Sequence, residues 1–256
     1  MAHWIRFEHA GNTDFGTIEN DRIAVYEGDM FDAPTATGEH LALDQVTPLA
    51  PTTAGKMIAL WNNFHALAAK LDQEIPGEPL YFIKADGSYL GPGAVIRKPP
   101  SYDGKVVFEG ELGIVIGREC RSVSEADAND HVFGYTCIND VTAVELIGRD
   151  ATFAQWTRAK SFDTFGVFGP VVSTGLDPST LSIRTVLNDQ ERQNYPVSDM
   201  IFAPLKIVSL ISRDLTLNPG DVICCGTSVG VGSMKPGSTI EVTIEGIGTL
   251  NNRYEI

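Results

Sequence analysis

VVFEGELGIVIG, residues 106–117, alternates as a strand does and lacks helical spacing. A period of two puts Phe108, Leu112, Ile114 and Ile116 on one face and Glu109 and Glu111 on the other, the two acids roughly 6.7 Å apart at Cα. Two mutually repelling side chains thus stand together in a run of Val and Ile. In a half-buried setting one of them protonates unless a cation compensates both. Asp140 lies in an equally apolar stretch, YTCINDVTAVELIG, where a lone acid needs a partner. Three carboxylates without a nearby His or Cys suit Mg²⁺ or Mn²⁺ better than zinc. The same spacing also fits an edge strand whose wet face carries Glu109 and Glu111, with Asp140 capping a following helix.

Outward from this stretch, strands dominate. PLYFIKA, FGYTCINDV, FGVFGPVVS, SIRTVLN, DVICCG and TIEVTIEGIGTL read as strands separated by turns such as NPGD and KPGS. WNNFHALAAKLDQ spaces Phe64, Leu67, Ala68 and Leu71 as a short helix behind an Asn cap, and two further helical patches fall at SEADANDH and from Thr142 to Trp156. Ahead of them, His3 to about Pro51 alternates apolar stretches with Gly, Asn and Asp turns as a small β-meander; residues 33–56 read as a connection. Strand and helix do not alternate regularly, so the reading is a β-rich α+β fold. It divides into a small N-terminal β domain, 1–52, and a larger domain, 53–256, with a helix near 62–72.

Composition narrows the function classes. Nineteen basic against 33 acidic residues give a formal charge of −14, which repels nucleic acid and anionic membranes. An anionic ligand therefore needs a local positive centre. No apolar run approaches the roughly 20 residues that span a bilayer, and the N-terminus lacks a secretory apolar region, so the expected location is cytoplasmic. Cys120, Cys137, Cys224 and Cys225 form no CxxC and read as reduced, buried thiols.

From about Leu60 onward the chain resembles the fumarylacetoacetate hydrolase superfamily, including its 2-hydroxyhepta-2,4-diene-1,7-dioate isomerase / 5-oxopent-3-ene-1,2,5-tricarboxylate decarboxylase branch. The resemblance is carried, in order, by LYFIKADGSYLGPGAVI, EGELGIVIG, GYTCIND running into VTA, AKSFDTFGVFGPVV, LTLNPGDVICCGTSVGVG and EGIGTLNN. It implies mixed sheets in a β-sandwich or roll, a homodimer, and a Mg²⁺ or Mn²⁺ site formed by Glu109, Glu111 and Asp140. It further implies that Lys160 stands near the substrate's oxygens, that Lys84, Gly226 and Thr227 meet the substrate, and that His65 opens a lid helix as a general base. The acid that assists such a His three residues later is Ala68 here, and an Arg and a Gln common after the Asp are Val144 and Ile147.

The implied chemistry is an enolate derived from a small 2-oxo acid, with Lys160 stabilising its charge. That enolate serves hydrolysis of an acylpyruvate, decarboxylation of a β-carboxylated oxo acid, or enol–keto isomerisation, in the degradation of aromatic compounds. The alternative is a metal-binding member without activity, acting as a binding or scaffold protein.

Overall fold

The computed structural model describes residues 1–256, and strands far outnumber helices in it. The largest sheet has twelve strands, ten in line and two short ones, Thr47–Pro48 and Tyr89–Leu90, paired off that path. From one edge it runs through Asp32–Ala42, Arg22–Asp29, Asn12–Glu19 and His3–His9, then Gly166–Ser173 and Val132–Asp140. It continues through Gly110–Ile116, Val222–Cys224 and Met57–Trp61 to Leu80–Lys84. The N-terminal meander joins the rest through antiparallel pairing of His3 with Ser173 and Trp4 with Val172. A five-stranded sheet, Gln190–Pro196, Ser182–Leu187, Thr239–Ile244, Gly248–Glu255 and Val95–Arg97, packs over the middle of the large one. A small third sheet holds Val106–Phe108 between Thr142–Ala143 and Gly232–Ser233.

Gly110–Ile116 is an interior strand with all seven residues buried, which explains its lack of a polar face. Leu112, Ile114 and Ile116 enter the main core, while Val115 packs with Met57, Ile138 and Phe168 on the other side of the sheet. Gly110 is a glycine because a Cβ there would collide with Thr185 Oγ1 of the covering sheet and lie 3.1 Å from Gln193 Oε1. The sheets can approach closely only at a residue without a side chain.

Several expectations need correction. The strand predicted through residues 106–117 is broken at Glu109, with its first part, Val106–Phe108, in a different sheet. Residues 33–42 are not a connection: they form most of Asp32–Ala42, a strand stabilised by a hairpin partner at Arg22–Asp29. The short helix, α1, spans only His65–Lys70 and has no side-chain cap. Asn63 instead donates to the carbonyls of Cys225 and Phe202 and accepts from Phe202 N, tying the helix entrance to two distant segments. The patch at SEADANDH yields a 3-10 turn, Ala128–His131. The patch from Thr142 to Trp156 is a two-residue strand, a 3-10 turn at Val144–Leu146 and loop, before α2 begins at Trp156 and runs to Lys160.

Two elements have no counterpart in the sequence reading. α3, Pro204–Asp214, is the longest helix; Pro204 at its first turn and buried Ile207, Val208 and Ile211 at helical spacing were the available signals. Strand Gln190–Pro196 has a polar composition, yet Asn188 and Asp189 both have positive φ and form the two-residue turn that returns it against Ser182–Leu187. No helix is long and apolar enough to cross a membrane. All four cysteines are free and buried.

Candidate active site

The break at Glu109 and the end of Val132–Asp140 bring the acids together. Antiparallel register sets Gly110 against Asn139, and Asp140 N donates to the Glu109 carbonyl at 2.9 Å. One carboxylate oxygen from each of Glu109, Glu111 and Asp140 then lies within 4.8 Å of the other two. Glu111 and Asp140 are fully buried, and Glu109 is nearly so. The edge-strand and helix-cap alternatives do not survive: Glu111 stands on an interior strand, and the Asp140 side chain is bound by two lysines.

Lys160, at the end of α2, places Nζ 2.9 Å from Glu109 Oε2 and 2.6 Å from Asp140 Oδ2. Burial pulls its ammonium pKa down, but Asp140, Glu109 and Glu111 outweigh that and hold it above the usual lysine range. α2 is fixed by aromatic packing: Trp156 stacks on Phe82 at 5.7 Å between ring centroids, and Trp61 at 5.0 Å. Lys160 Nζ is 5.5 Å from the centre of the same Phe82 ring. Burial resists ionisation of Asp140, yet Lys160 and Lys84 bring its carboxyl below its usual value.

Glu111 is in the opposite situation. It receives one hydrogen bond, from Gly226 N at 2.9 Å. Burial first, then the charge of Asp140, push its carboxyl well above the ordinary range. With all three acids ionised, three carboxylates against two ammoniums would leave one uncompensated negative charge in a buried cluster, a costly arrangement that without a cation is relieved by protonating Glu111. Beside Glu109, Asn139 accepts from Glu109 N at 3.1 Å while its Nδ2 is buried with no partner. An all-oxygen donor set with excess negative charge fits a hard divalent cation.

The surroundings divide the other expected site residues differently from the sequence reading. Lys84 does not face a cavity; it is completely enclosed behind Asp140, where Nζ donates to Asp140 Oδ1 and the Lys160 carbonyl. Gly226, with φ of 87°, spends its N–H on Glu111. Thr227 donates to the Gly110 carbonyl at 3.0 Å and accepts from Gln193 Nε2 at 2.8 Å, so its hydroxyl proton is committed. Gln193 Oε1 accepts from Gly110 N at 3.0 Å, and Tyr195 O–H donates to the Gly110 carbonyl. Gln193 and Tyr195 come from the strand that sequence reasoning missed. Together they clamp the peptide between Glu109 and Glu111.

A cavity of about 530 Å³ opens against this cluster, with Glu109, Thr227 and Ser228 in its wall. Ser228 Oγ is buried without a partner. Ala68 is enclosed within α1, and His65 is exposed at the helix start and does not line the cavity. Val144 and Ile147 do line it. A larger cavity, about 680 Å³, lies between residues 47–54 and 86–94, and none of the three acids borders it.

Comparison with known proteins agrees with this architecture. The family described as Fumarylacetoacetate (FAA) hydrolase C-terminal matches residues 56–255, and the one described as Rv2993c-like, N-terminal matches residues 2–51. The crystal structure of 2-hydroxyhepta-2,4-diene-1,7-dioate isomerase from Mycobacterium marinum is 37% identical with a TM-score of 0.91, covering 100% of this chain and 98% of that one. Oxaloacetate tautomerase YisK of Bacillus subtilis is 35% identical over 79% of this chain and 70% of its own length. Maleylpyruvate hydrolase from Sphingobium sp. SYK-6, solved with manganese(II) ion and pyruvate, is 26% identical with a TM-score of 0.77 over 99% of this chain and 98% of that one. With 200 consecutive residues matching that family and the same fold in the two solved relatives, the chain belongs to the fumarylacetoacetate hydrolase C-terminal domain family.

Proposed function

We propose that this protein is a divalent-metal-dependent enzyme acting on small 2-oxo acids through an enolate, in the catabolism of aromatic compounds. The observation that carries this reading is the meeting of three carboxylates with Lys160 beside one cavity, which Glu109 lines. A divalent cation held by Glu109, Glu111 and Asp140 would compensate all three as carboxylates and supply a Lewis acid for a carbonyl.

The chain's own groups account for the rest. Lys160 stands where negative charge develops on the substrate oxygens, held there by Glu109 and Asp140. Lys84, Gly226 and Thr227 hold the acids in place. Ser228 Oγ, buried in the cavity wall without a protein partner, is assigned to the substrate carboxylate, which it meets once the wall shifts to uncover it.

Among isomerisation, decarboxylation and hydrolysis, the first two are favoured. Glu109 is the only acid in the cavity wall, no His lines it, and the position three after His65 is an enclosed Ala68. Hydrolysis of an acylpyruvate is the second reading and needs His65 carried inward with α1. A binding protein without activity is the third, and the loss of a base near the cavity is what favours it. The names of the tautomerase and isomerase relatives support the first reading. Residues 1–52 form in this reading a small N-terminal β domain whose strands extend the large sheet, and the working assembly is a homodimer.

The test compares metal-stripped protein with protein loaded with Mg²⁺ or Mn²⁺. Enol–keto interconversion and CO₂ release are followed with oxaloacetate, and cleavage with acylpyruvates. Metal-dependent turnover of at least one is expected. Turnover unaffected by chelator contradicts the metal-dependent mechanism, and loss-free metal binding with no turnover of any favours the binding protein.

A further inference from the structure

The cavity that opens on the acids is mostly apolar. Glu109, Thr227 and Ser228 sit at the metal end, and eight of its thirteen wall residues are hydrophobic. Trp61 and Trp156 form a continuous aromatic wall, fixed from behind by Phe82. Val144, Ile147, Leu71 and Val231 add aliphatic surface to the same cavity. Leu71, Val144 and Val231 are 44%, 38% and 37% exposed, so apolar side chains that a folded chain normally covers face the open space. Lys70, exposed on α1, is the one basic side chain in the wall. A solvated lysine on a short helix holds an anion weakly. A ligand carboxylate placed among these walls would be desolvated without a partner, in a chain of formal charge −14.

We infer that the preferred substrate is a 2-oxo acid whose far end is uncharged and apolar, an aryl or branched alkyl group lying against Trp61, Trp156, Val144 and Ile147, and that a second carboxylate in that place is disfavoured. This rests on the enolate reading for the metal end; the tail preference itself comes from the walls. The volume suits such a group, lying in the range where ligand pockets occur.

Oxaloacetate and phenylpyruvate isolate the tail, because both carry an enolisable 2-oxo acid and differ in bearing a carboxylate or a phenyl ring beyond it. Two quantities are measured on the Mg²⁺-loaded protein: calorimetric Kd, and kcat/KM for enol–keto interconversion. Phenylpyruvate is expected to bind about tenfold or more tighter than oxaloacetate, with a kcat/KM higher by a similar factor, the scale on which apolar pockets discriminate. Val144→Arg, on a partly exposed turn, is expected to reverse the order, and Ile147→Gln to narrow it. Equal or tighter binding of oxaloacetate by the wild-type protein overturns the inference, as does an order unmoved by both substitutions. Tighter phenylpyruvate binding with no turnover of either acid upholds the tail preference and overturns the enzymatic reading instead.

Discussion

Gln193 offers the sharpest separation between holding the fold and holding the acids. It is 2% exposed, accepts from Gly110 N at 3.0 Å and donates to Thr227 Oγ1 at 2.8 Å, so one side chain joins the covering sheet to the peptide between Glu109 and Glu111. Gln193→Leu keeps the volume and removes these two bonds, together with the longer ones from Nε2 to the Ser228 and Val229 carbonyls. The buried Gly110 N–H is left without a partner, costing about 1–3 kcal/mol, and Thr227 loses an acceptor interaction of about 1 kcal/mol. A total near 3 kcal/mol lowers Tm by about 6–12 °C in a chain of this size. Loosening the peptide also misplaces both glutamates, and losing such support for metal ligands weakens metal binding by about 10–100-fold. Urea unfolding of metal-free protein measures the first effect, and Mn²⁺ titration of the folded variant the second. Loss of stability with Mn²⁺ affinity within twofold of wild type would refute the reasoning, since the network would then be structural glue alone.

Three further outcomes follow from the same geometry. Glu109→Ala removes a proposed ligand and a partner of Lys160, and is expected to abolish turnover of whichever 2-oxo acid the wild-type protein transforms, read in a steady-state assay. Ser228→Ala should raise KM about tenfold with kcat nearly unchanged, because the lost contact serves binding; an unchanged KM would show that its hydroxyl meets no substrate. Ala68→Glu forces a carboxylate into an enclosed position, so denaturant unfolding should register a loss of about 2 kcal/mol or more. In the folded fraction it should also raise the ratio of hydrolysed to decarboxylated product, and an unchanged ratio would mean that a missing acid is not what sets the outcome.

The acids were legible because their signal is local. Alternation around Glu109 and Glu111, and an acid misplaced in the apolar run before Asp140, require only the neighbouring residues to be read. The same local reading erred where long-range pairing decides. Nothing near Glu109 announces that Val106–Phe108 pairs with Thr142–Ala143 and Gly232–Ser233 while Gly110–Ile116 enters another sheet. Gln190–Pro196 is too polar to read as a strand alone, and becomes one through the Asn188–Asp189 turn and the ladder beside it. With it went Gln193 and Tyr195. The committed hydrogens of Lys84, Gly226 and Thr227 were equally hidden, since a residue type indicates what can be donated and only the packed structure indicates to whom. The Asn63 side chain shows the same limit: its position suits a helix cap, but Cys225 and Phe202 are the partners that the fold brings within reach.

The account stands on one physical claim, that the buried excess of negative charge among Glu109, Glu111 and Asp140 is balanced by a divalent cation. Paramagnetic titration with Mn²⁺ measures it directly on the wild-type protein and on Glu111→Gln, which keeps shape and removes charge. One Mn²⁺ bound per chain, weakened by about a hundredfold or more in the variant, is the predicted result. No binding by the wild-type chain, or equal binding by both, would contradict it.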